Sequence, residues 1–400
     1  MATEHGAKAW RRLPVNQCLR TDFPRKRSVQ KKNYRSEGRF PVIDQGAGLA
    51  GYSDDESLVN VGPLPLILFG DHTRKLKFLD FPFVTGADGT RLIRAREEVA
   101  NPLFLFYALR AVPIPNRGYN RHFQLLKQAT ILVPEDLRTQ DSVARFLADL
   151  EGLAGIALSR AGAMARLRAA LLAKIFREGL RGEPLRETEI GPLPASWRVA
   201  SLGEVTRRMQ YGLSIRGGPA GAMPILRMNC QQDGRVEFRN LQFVTLDERQ
   251  RAAFLLQPGD ILFNRTNSFE LVGRAAIFDS PREAVFASYL IRVSTDEAAA
   301  LPGFLNHYLC AAAAQARLKS LATRGVSQSN ISASRLRTFP VPIPQMAEQR
   351  EMASTLDQLT LSVIGARRRA ALLQSLFSAI LARLMTGELR LPAEPQEADG

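Results

Sequence analysis

Only three cysteines, four histidines and two tryptophans occur in 400 residues. Cys18, Cys230 and Cys310 are odd in number and far apart, so they offer neither a disulfide framework nor metal-ligand spacing, and a reducing cytoplasm fits them best. His5, His72, His122 and His307 are too scattered to form a zinc site by spacing. No apolar run reaches about 18 residues and the N-terminus has no signal-like core, so neither export nor membrane insertion is expected. Glycine-rich phosphate loops of the G-x-x-x-x-G-K-S/T or G-x-G-x-x-G kind are missing, as is an acidic cluster suited to metal-assisted hydrolysis. Acidic side chains are also in short supply: 39 against 54 Lys and Arg, for a net charge of +15.

That imbalance concentrates polyanions in a salt-dependent way, which makes nucleic acid the first partner to consider. Eleven Lys and Arg against three acidic residues fall in the first 39 positions, so part of the excess sits in the entry segment. Hydrophobic content of 45% is ample for packed cores, and the length suggests two or three domains.

The strongest feature is a duplication. "LLKQATILVPEDLRTQDSVARFLADLEGL" from Leu125 and "SRLRTFPVPIPQMAEQREMASTLDQLTL" from Ser334 share an apolar run, a proline, a glutamine soon after, and a helical pattern. Upstream, "NPLFLFYALR" from Asn101 matches "LPGFLNHYLC" from Leu301, both proline-opened amphipathic helices. Trp10 and Trp197 open the two halves. Between the halves, Arg181 to Trp197 is rich in Gly and Pro and reads as a linker.

In the second long helical pattern Met352, Leu356, Leu359, Val363, Ala366, Ala370, Leu373, Phe377, Ile380 and Leu384 alternate steps of four and three, the seam of a coiled coil. Subtracting 209 gives Val143, Leu147, Leu150, Ala154, Ala157, Ala161, Met164, Arg168, Leu171 and Ile175, in which only Arg168 interrupts the apolar line. Two copies related by a pseudo-two-fold axis make the helices antiparallel, with Ala157 facing Ala370 and Ala161 facing Ala366. At a rise of 1.5 Å per residue each helix is about 60 Å long. Gly152, Gly155 and Gly162 weaken the first by about 1 kcal/mol each relative to Ala.

The remaining segments alternate short strands with polar loops. "LPLILFGDHTRKLKF" and "LQPGDILFNRTN" each deliver basic and amide side chains at the end of a buried strand. Asp71 with His72 lacks a third catalytic group, and the second half has Asn264 and Arg265 there, so recognition fits better than catalysis. Arg and Lys contact phosphate or guanine, Asn and Gln pair with adenine, and Ser or Thr bond either edge. The candidate DNA contacts of the first half are His72, Arg74 and Lys75 at the strand end and Arg117, Tyr119, Arg121 and His122 in "NRGYNRHF". Those of the second are Arg265, Asn267 and Ser268 at the strand end and Arg324, Ser327, Gln328 and Asn330 in "TRGVSQSNIS". An uncharged, hydrogen-bonding loop is what base-edge reading needs, and the helix after it holds it in place. A DNA-modifying or DNA-cleaving enzyme and a coiled-coil scaffold without DNA binding are the competing readings.

These residues resemble the specificity subunit of type I restriction-modification systems. The resemblance rests on "GPLPASWRVASLGEV", "PGDILFNRTNS", "GVSQSNIS", "VPIPQMAEQREMASTLDQL" and "LLQSLFSAILARLMTGELR", and in the first half on "FPVIDQG", "LFGDHTRKLKF", "FVTGADG" and "NRGYNRHFQLLK". It implies an α+β fold with two pseudo-symmetric target-recognition domains joined by two long antiparallel coiled-coil helices. The expected divisions are a first recognition domain at 1–137, a first long helix at 138–180, a linker at 181–196, a second recognition domain at 197–346, a second long helix at 347–390 and a disordered tail at 391–400. Each recognition domain would read one part of a split, asymmetric DNA target. The helix seam (Leu147, Leu150, Ala157, Ala161, Leu171, Leu356, Leu359, Ala366, Ala370, Phe377, Ile380) would set the gap, and the helices would dock two methyltransferase subunits, with restriction/translocase subunits joining. The chain itself would be non-catalytic and cytoplasmic, with no cofactor, metal or membrane contact. S-adenosylmethionine, ATP and Mg2+ would belong to the partners.

Overall fold

The structure, a computed structural model, describes residues 10–20, 26–86, 89–116, 118, 121–325 and 328–391. The described chain divides into two compact units, one made of the residues up to Ala157 with those from Ala370 onward, the other of Leu158–Arg369.

In the first unit the apolar run Leu66–Phe69 has no polar face, so it becomes the inner strand of a sheet. Leu66–Gly70 pairs antiparallel with Leu76–Leu79 on one side and Thr90–Ala95 on the other, and Leu19–Arg20 extends the sheet. A second four-stranded sheet is ordered Gly51–Ser53, Phe40–Ile43, Phe83–Thr85, Val59–Asn60. The second unit repeats the inner strand: Ile261–Asn264, fully buried, lies antiparallel between Ala275–Ile277 and Leu290–Thr295. Thr206–Tyr211 pairs on the far side of Leu290–Thr295.

The duplicated strand–proline–helix segments are built alike down to single hydrogen bonds. Trp10–Pro14 pairs antiparallel with Thr130–Pro134, and Arg198–Ser201 with Pro340–Ile343. The glutamine after each strand is buried and joins three backbone groups. Gln140 donates to Pro134 O (2.8 Å) and Val99 O (3.1 Å) and accepts from Asn101 N (2.7 Å). Gln349 donates to Pro344 O (3.0 Å) and Ala299 O (3.2 Å) and accepts from Leu301 N (2.9 Å). Each glutamine thus ties the start of a long helix to the start of the proline-opened helix, Pro102–Ala111 or Pro302–Cys310.

The first long helix runs Leu137–Glu178 and the second Met346–Thr386. In the first unit Val143, Leu147 and Leu150 from early in the first helix share a core with Phe377, Leu381 and Leu384 from late in the second. In the second unit Leu172, Ile175 and Phe176 from late in the first share a core with Met352 and Leu356 from early in the second. That order is antiparallel. Ala157, Ala161 and Ala370 are buried, while Ala366, Leu359 and Ile380 are half-buried.

The seam departs from the expected line near Arg168. Leu171 is only half-buried and Leu172, with Phe176, takes the core position instead. Arg168 Nε donates to Thr360 Oγ1 at 2.8 Å, and Thr360 is itself buried. Arg168 is seven residues beyond Ala161 and Thr360 six before Ala366, which is the antiparallel register of the alanine pairing to within one residue. The apolar line thus gives way to a polar pair at Arg168 and Thr360 and resumes at Leu172.

Residues 181–197 are more ordered than a plain linker. Leu185–Arg186 pairs with Leu193–Pro194, and Trp197, fully buried, donates its indole N–H to Glu348 Oε2 at 3.0 Å. The other oxygen of Glu348 accepts from Leu180 N at 2.9 Å. Residues 392–400 of the expected tail lie outside the described residues.

Candidate nucleic-acid interface

In both units the loop leaving the inner strand is joined to the loop that precedes a short helix. In the first unit the strand Leu66–Gly70 runs into a tight turn at Asp71–Lys75, closed by Gly70 N to Lys75 O (2.8 Å) and Arg74 N to Gly70 O (2.7 Å). Arg74 takes the left-handed conformation there, with φ of 59°. Asp71 is buried, and its Oδ1 accepts from the backbone N–H of His122 (2.8 Å) and Phe123 (2.9 Å), at the start of the helix Phe123–Gln128. Its Oδ2 meets Arg91 Nε at 3.2 Å.

His122, a candidate contact on residue type, is held inside the loop. It is fully buried, and its Nδ1 lies 2.8 Å from the carbonyl oxygen of Asp71, so that nitrogen donates. Held there, it braces the loop against Asp71. Arg74 is half-buried and donates to Ile114 O at 2.9 Å, while His72 is half-buried and Lys75 and Arg121 are exposed. Arg117 and Tyr119 lie outside the described residues.

In the second unit Thr266–Asn267 pairs with Ser329–Asn330, which pairs in turn with Thr323–Arg324. Asn330 Nδ2 donates to Thr266 Oγ1 at 2.8 Å. This small sheet brings "NRTNS" and "TRGVSQSNIS" together across about 60 residues of chain. The backbone link of the first unit recurs: Ile331 N donates to Arg265 O at 2.8 Å, as His122 N donates to Asp71 O at 3.1 Å, and Ile331 and His122 are again 209 apart. Ser268 and Gln328 are exposed and Asn330 is half-buried. Asn267 is partly used inside its own loop, with Oδ1 accepting from Ser268 N at 2.8 Å. The backbone of Arg324 is in the small sheet, and Ser327 lies outside the described residues.

Some arginines of the described chain carry a carboxylate partner and others do not. Arg207, Arg235, Arg251 and Arg367 elsewhere in the second unit each meet a carboxylate. Among the described residues, no carboxylate lies within ion-pair distance of Arg74, Lys75, Arg121 or Arg265.

Two residues escaped the sequence reading. Tyr211 ends an edge strand and lies under the Arg265 guanidinium, 4.5 Å from it. Arg335 donates to Leu321 O (3.0 Å) and Thr323 Oγ1 (2.7 Å), bracing the loop from the short helix Ala333–Arg337. Arg335 stands in plain view in "SRLR"; Tyr211 carries no sequence signal, since its contacts are remote in the chain.

Residues 196–372 match the model of the type I restriction modification DNA specificity domain. A specificity subunit of Methanocaldococcus jannaschii assigned to the type I restriction enzyme MjaX is 27% identical over 189 residues, 46% of this chain and 44% of that protein. The type I restriction enzyme EcoKI specificity subunit of Escherichia coli is 26% identical over 213 residues, 50% of this chain and 44% of that protein. The match therefore spans less than half the length of these two relatives. The crystal structure of the type I restriction-modification system S subunit from M. genitalium superposes with a TM-score of 0.65 at 14% identity, covering 96% of this chain and 98% of that one, which shows a shared fold. Residues 196–372 are thus similar to that specificity domain, and the duplicated α+β plan with its paired long helices is the fold shared with that S subunit.

Proposed function

We propose that this chain is the sequence-reading, non-catalytic subunit of a type I restriction-modification complex. Each unit contacts one part of a split DNA target, and because the two loop clusters differ in their side chains the target is asymmetric. The observation that carries this reading is the clustering of Arg74, Lys75 and Arg265 at the ends of the inner strands, and of Arg121 in the loop tied to one of them, beside amide and hydroxyl side chains and with no carboxylate partner among the described residues. A guanidinium or ammonium left unpaired beside amide and hydroxyl groups suits phosphates and base edges.

Residues 1–137 and 197–346 are the recognition domains in this reading, with 138–180 and 347–390 as helical spacers and 181–196 as the connection. The spacer helices set the unread gap and carry the docking surface for two methyltransferase subunits, with restriction/translocase subunits completing the complex. Support for docking comes from large apolar side chains left at the helix surfaces, Leu153, Ile156 and Leu167 on the first and Leu361 and Leu372 on the second. S-adenosylmethionine, ATP and Mg2+ are bound by those partners and not by this chain. No described helix is long and apolar enough to cross a membrane, and we place the complex in the cytoplasm, where its DNA is.

The test is genome-wide detection of methylated bases in cells with and without this gene, its methyltransferase partner being present in both. A split motif of constant gap that disappears with the gene is expected. Methylation indifferent to the deletion, with no DNA binding by the purified complex, would refute the proposal.

A further inference from the structure

We infer that Arg265 reads a guanine edge in the half-site of the second unit, and that Tyr211 is the positioning residue that fixes the plane of its guanidinium. This rests on the DNA-reading function proposed above. Arg265 is the first residue beyond the buried strand Ile261–Asn264, and its backbone is held on both sides, N–H to Tyr289 O at 3.0 Å and C=O from Ile331 N at 2.8 Å. Its Cα therefore cannot drift. The guanidinium stacks 4.5 Å from the Tyr211 ring centroid, and among the described residues its one polar contact is a long one, Nη1 to Ser288 O at 3.4 Å. Nε is buried without a partner.

A flexible arginine serves a phosphate well enough; a stacked one presents a planar fork of donors in a set direction. That geometry matches O6 and N7 of guanine, which accept bidentately in the major groove. Tyr211 is fixed as well. Its hydroxyl accepts from Ala333 N at 2.8 Å, so one side chain links the strand-end arginine to the loop that carries Gln328 and Asn330. The first unit has no such fork in that position, because Asp71 follows its inner strand and spends its carboxylate on the N-terminus of a helix and on Arg91. The stacked fork beyond the inner strand is thus particular to the second unit among the described residues.

The experiment uses the full chain reconstituted with its methyltransferase subunits and a library of DNA with randomised half-sites. Wild type should select a split motif with a guanine in the half-site read by the second unit. Arg265→Ala and Arg265→Lys should both relax that single position, by about 5- to 150-fold in selectivity, with the other half-site unchanged as an internal control for folding. Tyr211→Ala should relax the same position, and Tyr211→Phe, which keeps the ring, should retain it. Equal weakening at every position in both Arg265 variants would make the contact one to phosphate and overturn the inference, as would Tyr211→Ala leaving the guanine preference intact. If Tyr211→Ala loses both half-sites it has failed to fold or assemble, and the pair Tyr211→Phe and Arg265→Lys decides: retention by the first and relaxation by the second are required. A wild-type complex without any sequence preference would instead overturn the proposed function.

Discussion

Replacing Gln349 by Met keeps its volume and removes its polar end, and it tests whether the duplicated glutamine is what fastens each long helix to the proline-opened helix of its unit. Gln349 is 1% exposed and makes three hydrogen bonds, at 3.0, 3.2 and 2.9 Å, to the backbone of Pro344, Ala299 and Leu301. After substitution the Leu301 N–H and two carbonyl groups face a thioether in a site that water reaches poorly. An orphaned buried polar group costs about 1–3 kcal/mol, and partial relaxation brings three of them to about 3–5 kcal/mol in total. Two-state unfolding is a poor assumption for a chain of two units, so the readout is local. Hydrogen exchange followed by mass spectrometry should show the peptides spanning 299–305 and 344–352 opening by that amount. Gln140→Met, with bonds of 2.8, 3.1 and 2.7 Å, should do the same to the first unit alone. A loss below about 1 kcal/mol in both would refute the assignment of the glutamines as fasteners.

Arg121→Ala, at an exposed position, should weaken DNA binding by the assembled complex evenly across sequences and lower the slope of log affinity against log salt by about 1; an unchanged slope in a salt titration would remove Arg121 from the interface. Trp197→Phe removes the indole donor to Glu348 Oε2 and should cost the second unit about 1.5–3 kcal/mol, read from hydrogen exchange of the peptides around 197 and 348, because a buried carboxylate loses one of its partners. Burial raises the Asp357 carboxyl pKa, but the His307 hydrogen bond and the charges of His307, Arg235 and Arg168 outweigh it and hold the pKa below the ordinary 3.8. A carboxyl depressed in the folded state stabilises above its unfolded pKa and stops doing so as the pH falls through its folded value. Asp357→Asn should therefore lower stability at neutral pH, with the difference from wild type closing below pH 3.8; a constant difference down to about pH 2 would contradict it. Burial also pushes the Cys310 thiol up to about 11, so alkylation at neutral pH should be far slower than for a free thiol, and brisk labelling would show that the packing against Ala275 opens.

The candidate site was legible in the sequence only by residue type and only in part. Polar side chains at the ends of apolar strands are a local signal, and Arg74, Lys75 and Arg265 were named from it, as Arg121 was from the polar loop before a helix. His122 carried the same local appearance and is buried, because what decides its role is Asp71, some 50 residues away. Tyr211 had no local signal at all, since its ring meets Arg265 and its hydroxyl meets Ala333 across 54 and 122 positions.

By itself the sequence determined the duplicated plan, the strand–proline–helix order, the two long helices and, through the pseudo-symmetry of the copies, their antiparallel direction. All of these are carried by spacing along the chain: a period of 3.6 or 2, a proline, a glutamine, an offset of 209. Only the tertiary structure decided that the seam shifts from Leu171 to Leu172 beyond Arg168, that the second helix ends in the core of the first unit through Phe377, Leu381 and Leu384, and that loops some 60 residues apart close into one small sheet. Those outcomes turn on which buried surfaces and hydrogen-bonding groups find each other over long separations. Periodicity marks the face that must be covered, and packing chooses what covers it.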